Sequence, residues 1–411
     1  MRIVHFADVH IGVENYGKVD PETGLSTRLG DFLKSFDQAV SYAIDSGADL
    51  VLCCGDAYKS RDPSQTHQRE FARRLARLST AGIPVFLVVG NHDMPNVPGR
   101  ATALEIFRTL GVPNVYIGDR LTTYRVDTAD GPVQIVAVPW PRRSGLLARE
   151  DSRGMTPEQV NEAIQEGLSR LIRAEAHALD PSVPALLAGH ITVGGATVGS
   201  EQSMMLGRDP VLLKSDVALP AFDYVALGHI HRHQILDEDP LVVYSGSLER
   251  IDFGEERDEK GFCVIEIDPA MAVGRRVREF TFQSVEARRF VTVDVDIRAG
   301  DSDPTASVLN AISSHEVADA IVRVRITVPA EQERHLRDAE IREALEGAHF
   351  VASISREVPD RHRSRLGPSY SDGLKPKEAL EAYFEARGMP KDRAEVLMRH
   401  AERLMAEADS E

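Results

Sequence analysis

Residues Asp49 to Tyr58 read DLVLCCGDAY. Five apolar residues, Leu50 to Cys54, run straight into Gly55 and the carboxylate of Asp56. A continuous apolar run of this length is the pattern of a strand buried on both faces. The same figure recurs on either side of it. Upstream, Arg2 to Ala7 runs into Asp8-Val9-His10. Downstream, Pro84 to Val89 runs into Gly90-Asn91-His92-Asp93, Pro184 to Ala188 into Gly189-His190, and Asp223 to Leu227 into Gly228-His229-Ile230-His231.

Helical periodicity fills the gaps between the early strands. In Asp31 to Gly47 the apolar positions Phe32, Phe36, Val40 and Ile44 recur every four residues, with Gly47 where a helix would end. Gln68 to Leu78 places Phe71, Leu75 and Leu78 on one face, and Thr156 to Leu179 opens with a Thr-Pro-Glu helix start. Strand alternating with helix predicts a layered α/β domain. Leu241 to Tyr244 and Gly261 to Ile267 follow without long helices, so the sheets are expected to end in antiparallel pairs.

A smaller α+β unit is expected to begin near Ser284. It has strands at Arg289–Ile297, Ala320–Val328 and Phe350–Ile354, and helices at Asp303–Ser313 and Arg334–Leu345. A helical tail closes the chain. Its helices, Pro376–Arg387 and Lys391–Ala408, carry stripes that include Leu380, Tyr383, Phe384, Leu397, Met398 and Leu404. Two helices cannot bury such stripes by themselves. The units are placed at residues 1–283, 284–367 and 368–411.

Composition bounds the classes. A chain of 411 residues implies roughly two to four folded units. With 42% hydrophobic and 27% charged residues it is globular rather than disordered. The longest apolar runs fall far short of the ~20 residues that cross a bilayer. Asp8 and His10 stand where a signal peptide needs its apolar core, so a cytoplasmic chain with no membrane partner is expected. Three cysteines make no disulfide framework, and the adjacent Cys53 and Cys54 read as reduced core residues. The net charge of −16 argues against bulk electrostatic binding to nucleic acid.

The strand-end residues share a chemistry. Asp8, His10, Asp56, Asn91, His190, His229 and His231 offer oxygen and imidazole donors and no thiolate. Such a set suits divalent ions such as manganese, iron or zinc rather than a cysteine-based structural zinc. In Asp8-Val9-His10 and His229-Ile230-His231 the first and third residues of an extended segment point the same way, so each pair can approach one ion. Ligands of open α/β sheets bind at the carboxyl ends of the strands. Seven donors are too many for one ion and about right for two. Any one motif alone has an ordinary reading as a turn or a core histidine, but five in series at strand ends do not.

This series, with ADVHIG, LVLCCGDAY, PVFLVVGNHD, FDYVALGHIHRHQ and YSGSLERIDFGE around it, resembles the calcineurin-like metallophosphoesterase superfamily. More narrowly it resembles the SbcD-type nucleases of DNA double-strand-break repair. The resemblance covers essentially the whole chain. The phosphoserine phosphatases carry GDxxDRG, whereas here Gly55 to Arg61 reads GDAYKSR, which disfavours that branch. The resemblance implies a layered α/β/β/α sandwich with a smaller α+β capping domain and a C-terminal helical tail. It implies two divalent metal ions, usually manganese. Asp8, His10 and His231 would bind one, Asn91, His190 and His229 the other, with Asp56 bridging. His92 matches the histidine that protonates the leaving oxygen or stabilises the transition state, and Asp93 is expected to orient it. Several relatives have a histidine where Lys59 stands here.

The activity so implied is 3′-to-5′ exonuclease on duplex ends and endonuclease on single strands or hairpins. Local basic groups are the candidate DNA contacts: Lys59, Arg61, Arg142, Arg143 and Arg232. The tail would dock on an SbcC-type coiled-coil ABC ATPase. No G-x-x-x-x-G-K-[ST] motif occurs, so ATP use would belong to that partner. The family also implies a homodimer and a nucleoid-associated location. Two rival readings are a phosphoesterase of a small nucleotide or phospholipid, and a non-catalytic DNA-end tether. The first leaves the cap and tail without a purpose, and the intact donor set argues against the second.

Overall fold

A computed structural model describes residues 1–95, 97, 99–141, 155–199, 209–358, 377, 380, 381, 383, 384 and 389–408. The chain divides into two compact units. One comprises Met1–Thr292, His315–Arg323 and Leu345–Ala352; the other Val293–Ser314, Val324–Ala344 and Ser353–Glu411.

The first unit is built on strands β1 (Arg2–Phe6), β2 (Leu50–Cys53), β3 (Val85–Val88), β4 (Val115–Gly118), β5 (Thr122–Thr128), β6 (Gly131–Val138) and β7 (Ala185–His190). They are followed by the two-residue strands β8 (Thr192–Val193) and β9 (Val211–Leu212), then β10 (Tyr224–Gly228), β11 (Gln234–Glu238), β12 (Leu241–Tyr244), β13 (Gly261–Ile267) and β14 (Val277–Ser284). Two six-stranded sheets result, in the orders β14-β13-β1-β2-β3-β4 and β11-β12-β10-β7-β6-β5. The centre of each is parallel: β1 to β4 in the first, β6-β7-β10-β12 in the second. The edges are antiparallel: β13 pairs so with β1 and β14 and β12 with β11, as expected of those two strands, and β5 pairs so with β6.

Alternation along the strands sets the layers. Val4, Phe6, Val51, Cys53, Val85 and Leu87 pack against Phe36, Val40, Phe71, Leu75 and Leu78 of helices α1 (Thr27–Asp45) and α2 (Gln65–Thr80). The intervening residues Ile3, Leu50, Leu52, Phe86 and Val88 turn to the second sheet and meet Ile135, Ala137, Leu186, Ala188 and Ala226. On that sheet's far side Val136, Val138, Leu187, Val225 and Leu227 face Ile164, Leu168 and Ile172 of a long helix, Pro157–Ala178. The order is helix, sheet, sheet, helix. Thr156 caps the long helix with a capping box whose partner is Gln159. Among the described residues, no helix is long and apolar enough to cross a membrane.

The β5–β6 hairpin has no counterpart in the sequence reading. Its edge strand TTYRVDT is mostly half-exposed and carries only Val126 fully buried, so it lacks the apolar run that marks a central strand. Strands β15 (Phe290–Asp296), β16 (Ile321–Thr327) and β17 (Phe350–Glu357) form a three-stranded sheet in that order. In the second unit a helix at Pro304–Ser313 is capped by Asp303, whose side chain accepts from the Ala306 amide. The single helix expected at Arg334–Leu345 is instead two short ones, Ala330–Glu333 and Asp338–Glu343. They separate at Arg337, whose amide donates to the Thr305 hydroxyl at 3.0 Å rather than to a helical carbonyl. Helix Lys391–Ala408 forms where expected. Most of Pro376–Arg387 lies outside the described residues.

Candidate metal centre

The strand ends converge. Asp8, Asp56 and Asn91 follow the adjacent parallel strands β1, β2 and β3, while His190 ends β7 and His229 follows β10, its parallel neighbour. The chain must turn sharply there to aim its side chains. Asp8, His10, Asp56 and His229 all adopt positive φ, at 53°, 47°, 53° and 96°. Non-glycine residues rarely adopt this conformation, and in folded proteins it concentrates at functional sites. The neighbouring glycines clear space for them. A Cβ on Gly55 would lie 2.2 Å from His190 Nδ1, and one on Gly90 would lie 2.1 Å from Asp56 Oδ1. Gly55 and Gly90 are therefore required by the side chains that pass over them.

The donor atoms lie close together. His190 Nε2 is 2.9 Å from Asn91 Oδ1 and 3.3 Å from Asp56 Oδ2. Asn91 Oδ1 is also 3.2 Å from His229 Nδ1. On the other side, His10 Nε2 stands 3.0 Å from His231 Nε2, 3.7 Å from Asp56 Oδ2 and 3.9 Å from Asp8 Oδ1. Asp56 thus lies between a group of Asp8, His10 and His231 and a group of Asn91, His190 and His229. The His229 amide donates to Asp8 at 3.0 Å and ties the two together.

The electrostatics leave a place for a cation. Burial alone would raise the Asp56 carboxyl, but His190 beside it holds it well below the usual carboxylate range. Burial would likewise lower the His190 imidazolium, yet Asp56 lifts it to about 9. Burial pushes Asp8 up to about 6 and His229 down to about 3. Among the described residues, Asp8 and Asp56 have ion pairs only with histidines, never with lysine or arginine. His190 donates its Nδ1–H to the Cys54 carbonyl at 2.7 Å, and His231 donates its Nδ1–H to Glu255 at 2.7 Å. The Nε2 atom of each is thereby turned inward. Among the described residues, His229 Nε2 is buried with no hydrogen-bond partner, the Asp209 carboxylate standing 4.0 Å away. Carboxylate, amide oxygen and inward imidazole nitrogens fit divalent cations.

The site opens into a cleft of about 500 Å³ lined also by Lys59, Arg61, His92, Trp140 and Asp209. His92 sits edge-on to His10, with ring centroids 5.0 Å apart. The reading that Asp93 orients His92 is not what the structure displays. Asp93 is buried and accepts from the amides of Gly90, Ala57 and Tyr58, clamping the two loops together, while the His92 ring pairs with the Lys59 carbonyl at 2.7 Å. Lys59 therefore touches His92 through its main chain. Arg232 lies outside the cleft, half-exposed beside Asp258. Arg142 and Arg143 lie outside the described residues. In the tail, Phe384 is buried near Tyr383, Leu380 and Met398 are half-buried and Leu397 is exposed, and the Leu404 side chain is outside the described set.

Sequence reasoning gave no role to Glu255 or Lys260, although both lie in or beside the YSGSLERIDFGE stretch. A charged pair spaced five residues apart on a loop carries no periodic signal. Trp140 likewise carries no motif signal, yet its ring lies 4.8 Å from that of His229.

Residues 1–233 match the family model described as calcineurin-like phosphoesterase, and the chain belongs to that family of metal-dependent phosphoesterases. The family uses a dinuclear divalent metal centre. Within it, the chain is 29% identical over 343 residues to the DNA double-strand break repair protein Mre11 of Halobacterium salinarum, covering 81% of this chain and 74% of that one. It is 26% identical over 298 residues to the protein of the same name from Thermoplasma acidophilum, covering 71% and 68%. A solved dimetal phosphatase from Danio rerio aligns over 64% of this chain and 92% of its own, with 11% identity and a TM-score of 0.39.

Proposed function

We propose that the protein is a metal-dependent nuclease of DNA double-strand-break repair. The observation that carries this reading is the cluster of buried Asp8, His10, Asp56, His190, His229 and His231 with half-buried Asn91 at the floor of an open cleft, in a chain alignable over four-fifths of its length with an Mre11 protein. Asp8, His10 and His231 would hold one ion and Asn91, His190 and His229 the other, with Asp56 shared. Manganese is the proposed metal. Two such ions, when bound, activate water and neutralise charge on the phosphoryl oxygens.

The chain's own residues do the rest. His92 donates its Nδ1–H to the Lys59 carbonyl, which holds the ring so that its imidazolium form can pass the Nε2 proton to the departing sugar oxygen and end neutral. Lys59 and Arg61 line the cleft and would hold backbone phosphates, which position DNA without reading its sequence. Arg232, Arg142 and Arg143 are proposed to extend that contact. The finer proposals are 3′-to-5′ degradation of duplex ends, endonucleolytic cutting of single strands and hairpins, and a homodimer in a nucleoid-associated cytoplasmic setting. Residues 284–367 would act as a DNA-capping domain over the nuclease domain of residues 1–283. The tail, residues 368–411, would dock on an SbcC-type coiled-coil ATPase. Exposure of Leu397 at 38% supports a tail face available to a partner.

The test is degradation of an end-labelled duplex in manganese by the wild type and by His92→Ala. The wild type should cleave, and His92→Ala should lose roughly 100- to 10,000-fold in rate, as expected for a missing general acid, while still binding two ions. No cleavage by the wild type, alone or with its ATPase, would refute the nuclease reading.

A further inference from the structure

A buried charge pair stands behind one histidine of the site. Lys260 is 1% exposed and Glu255 is fully buried. The Lys260 ammonium meets Glu255 Oε2 at 2.8 Å, the His231 carbonyl at 3.0 Å and Ser247 Oγ at 2.9 Å, so its three hydrogens are all accounted for. Glu255 Oε2 also accepts from the Ile251 amide at 3.1 Å, and Oε1 accepts from His231 Nδ1 at 2.7 Å. Lysine and glutamate together thus grip both ends of one residue: the imidazole of His231 through Glu255, and its main-chain carbonyl through Lys260.

Such a pair is expensive. Desolvating two charges often cancels their attraction, and an apolar pair of similar volume would serve stability as well or better. What the charges supply is a tautomer. A carboxylate can only accept, so the neutral His231 ring must carry its proton on Nδ1, which puts its lone pair on Nε2. That Nε2 faces His10 Nε2 at 3.0 Å, inside the donor cluster. An imidazole free to take the other tautomer would present N–H to a cation for part of the time.

We propose that Glu255 and Lys260 are positioning residues which fix the tautomer and orientation of His231, and so set the affinity of the ion held by Asp8, His10 and His231. The proposal rests on the two-ion reading above, but its test does not use DNA. Protein stripped with EDTA is titrated with manganese, free ion being read by electron paramagnetic resonance, and in parallel with cobalt, whose absorption reports ligand geometry. The variants are Glu255→Ala and the double variant Glu255→Gln with Lys260→Met. The double variant leaves no buried ammonium stranded, and melting in EDTA checks its fold. Glu255→Asp, which keeps the charge but shortens the reach to His231, serves where neither of these folds.

Wild type should bind two ions. The folded variants should keep one at wild-type affinity, weaken the other by about 10- to 100-fold, and shift the cobalt spectrum. A folded variant that binds both ions with wild-type affinity and spectrum would overturn the positioning role and leave the nuclease reading intact. A wild type that binds fewer than two ions would overturn both.

Discussion

The two ends of the same parallel strands are electrostatic opposites. At the amino ends the charges are paired with counter-charges at three places. The chain's own amino group pairs with Asp130 at 2.6 Å, Arg2 with Glu266 at 2.6 Å, and Arg276 with Asp223 at 3.2 Å. Asp223 also accepts from the amides of Ala185 and Gly274, so even a buried carboxylate there is complete. At the carboxyl ends, among the described residues, Asp8 and Asp56 form ion pairs only with histidines, and the Nε2 atoms of His10 and His231 face each other at 3.0 Å. Burying carboxylates without a cationic side chain is costly. One end of the sandwich is self-neutralised, and the other is built to be completed by cations.

The sharpest way to break this contrast is Gly90→Ala. Its Cβ would fall 2.1 Å from Asp56 Oδ1 and 2.4 Å from the Asp56 amide. Displacing the carboxylate between the two donor groups should abolish tight manganese binding and cut cleavage by at least about 100-fold. Calorimetric metal titration and the duplex assay read the two losses. Wild-type binding in this variant would show that Asp56 is not held where the contrast requires.

A smaller effect comes from protons competing with metal. His190 titrates near 9 in the protein alone because Asp56 stabilises its charged form, yet a ligating imidazole must be neutral. Below that pH each binding event must expel one proton. Apparent manganese affinity at the site holding His190 should therefore rise about tenfold per pH unit between pH 6.5 and 8.5, and level off near 9. Titrations in two buffers of different ionisation enthalpy would count the protons. A flat profile would remove His190 from the ligand set.

The smallest effect belongs to the closed end. Asp130 is half-exposed, and Asp130→Asn should alter stability by no more than ~0.5 kcal/mol and leave metal binding unchanged. Thermal melting with and without manganese checks both halves. A large loss would mean that the amino ends store stability that the contrast denies them.

The same contrast explains what could be read in advance. Apolar strands ending in Gly-Asp, Gly-Asn-His-Asp or Gly-His-x-His are conspicuous because burying such polar groups is costly without a purpose, so β1, β2, β3, β7 and β10 were legible along with their donors. Helix periodicity likewise placed Thr27–Asp45 and Pro157–Ala178 to within a few residues. The edge strand β5 was not legible, because an edge needs no apolar run. The Arg337 break was hidden because it depends on a hydroxyl, Thr305, that is distant in sequence. Asp93 was misjudged because adjacency to His92 says nothing of where its carboxylate turns. Glu255 and Lys260 were missed because they support the site from behind, through partners that only the folded chain brings together.

Trp140 gives the open end one more property. It is the chain's single tryptophan, and its ring lies 4.8 Å from that of His229 and 6.2 Å from that of His190. Of the two, His190 is the one Asp56 keeps charged; a protonated imidazole quenches indole emission, and a bound cation would discharge it. Intrinsic fluorescence from this one residue is therefore a built-in optical gauge of the centre, readable in stopped flow without any label.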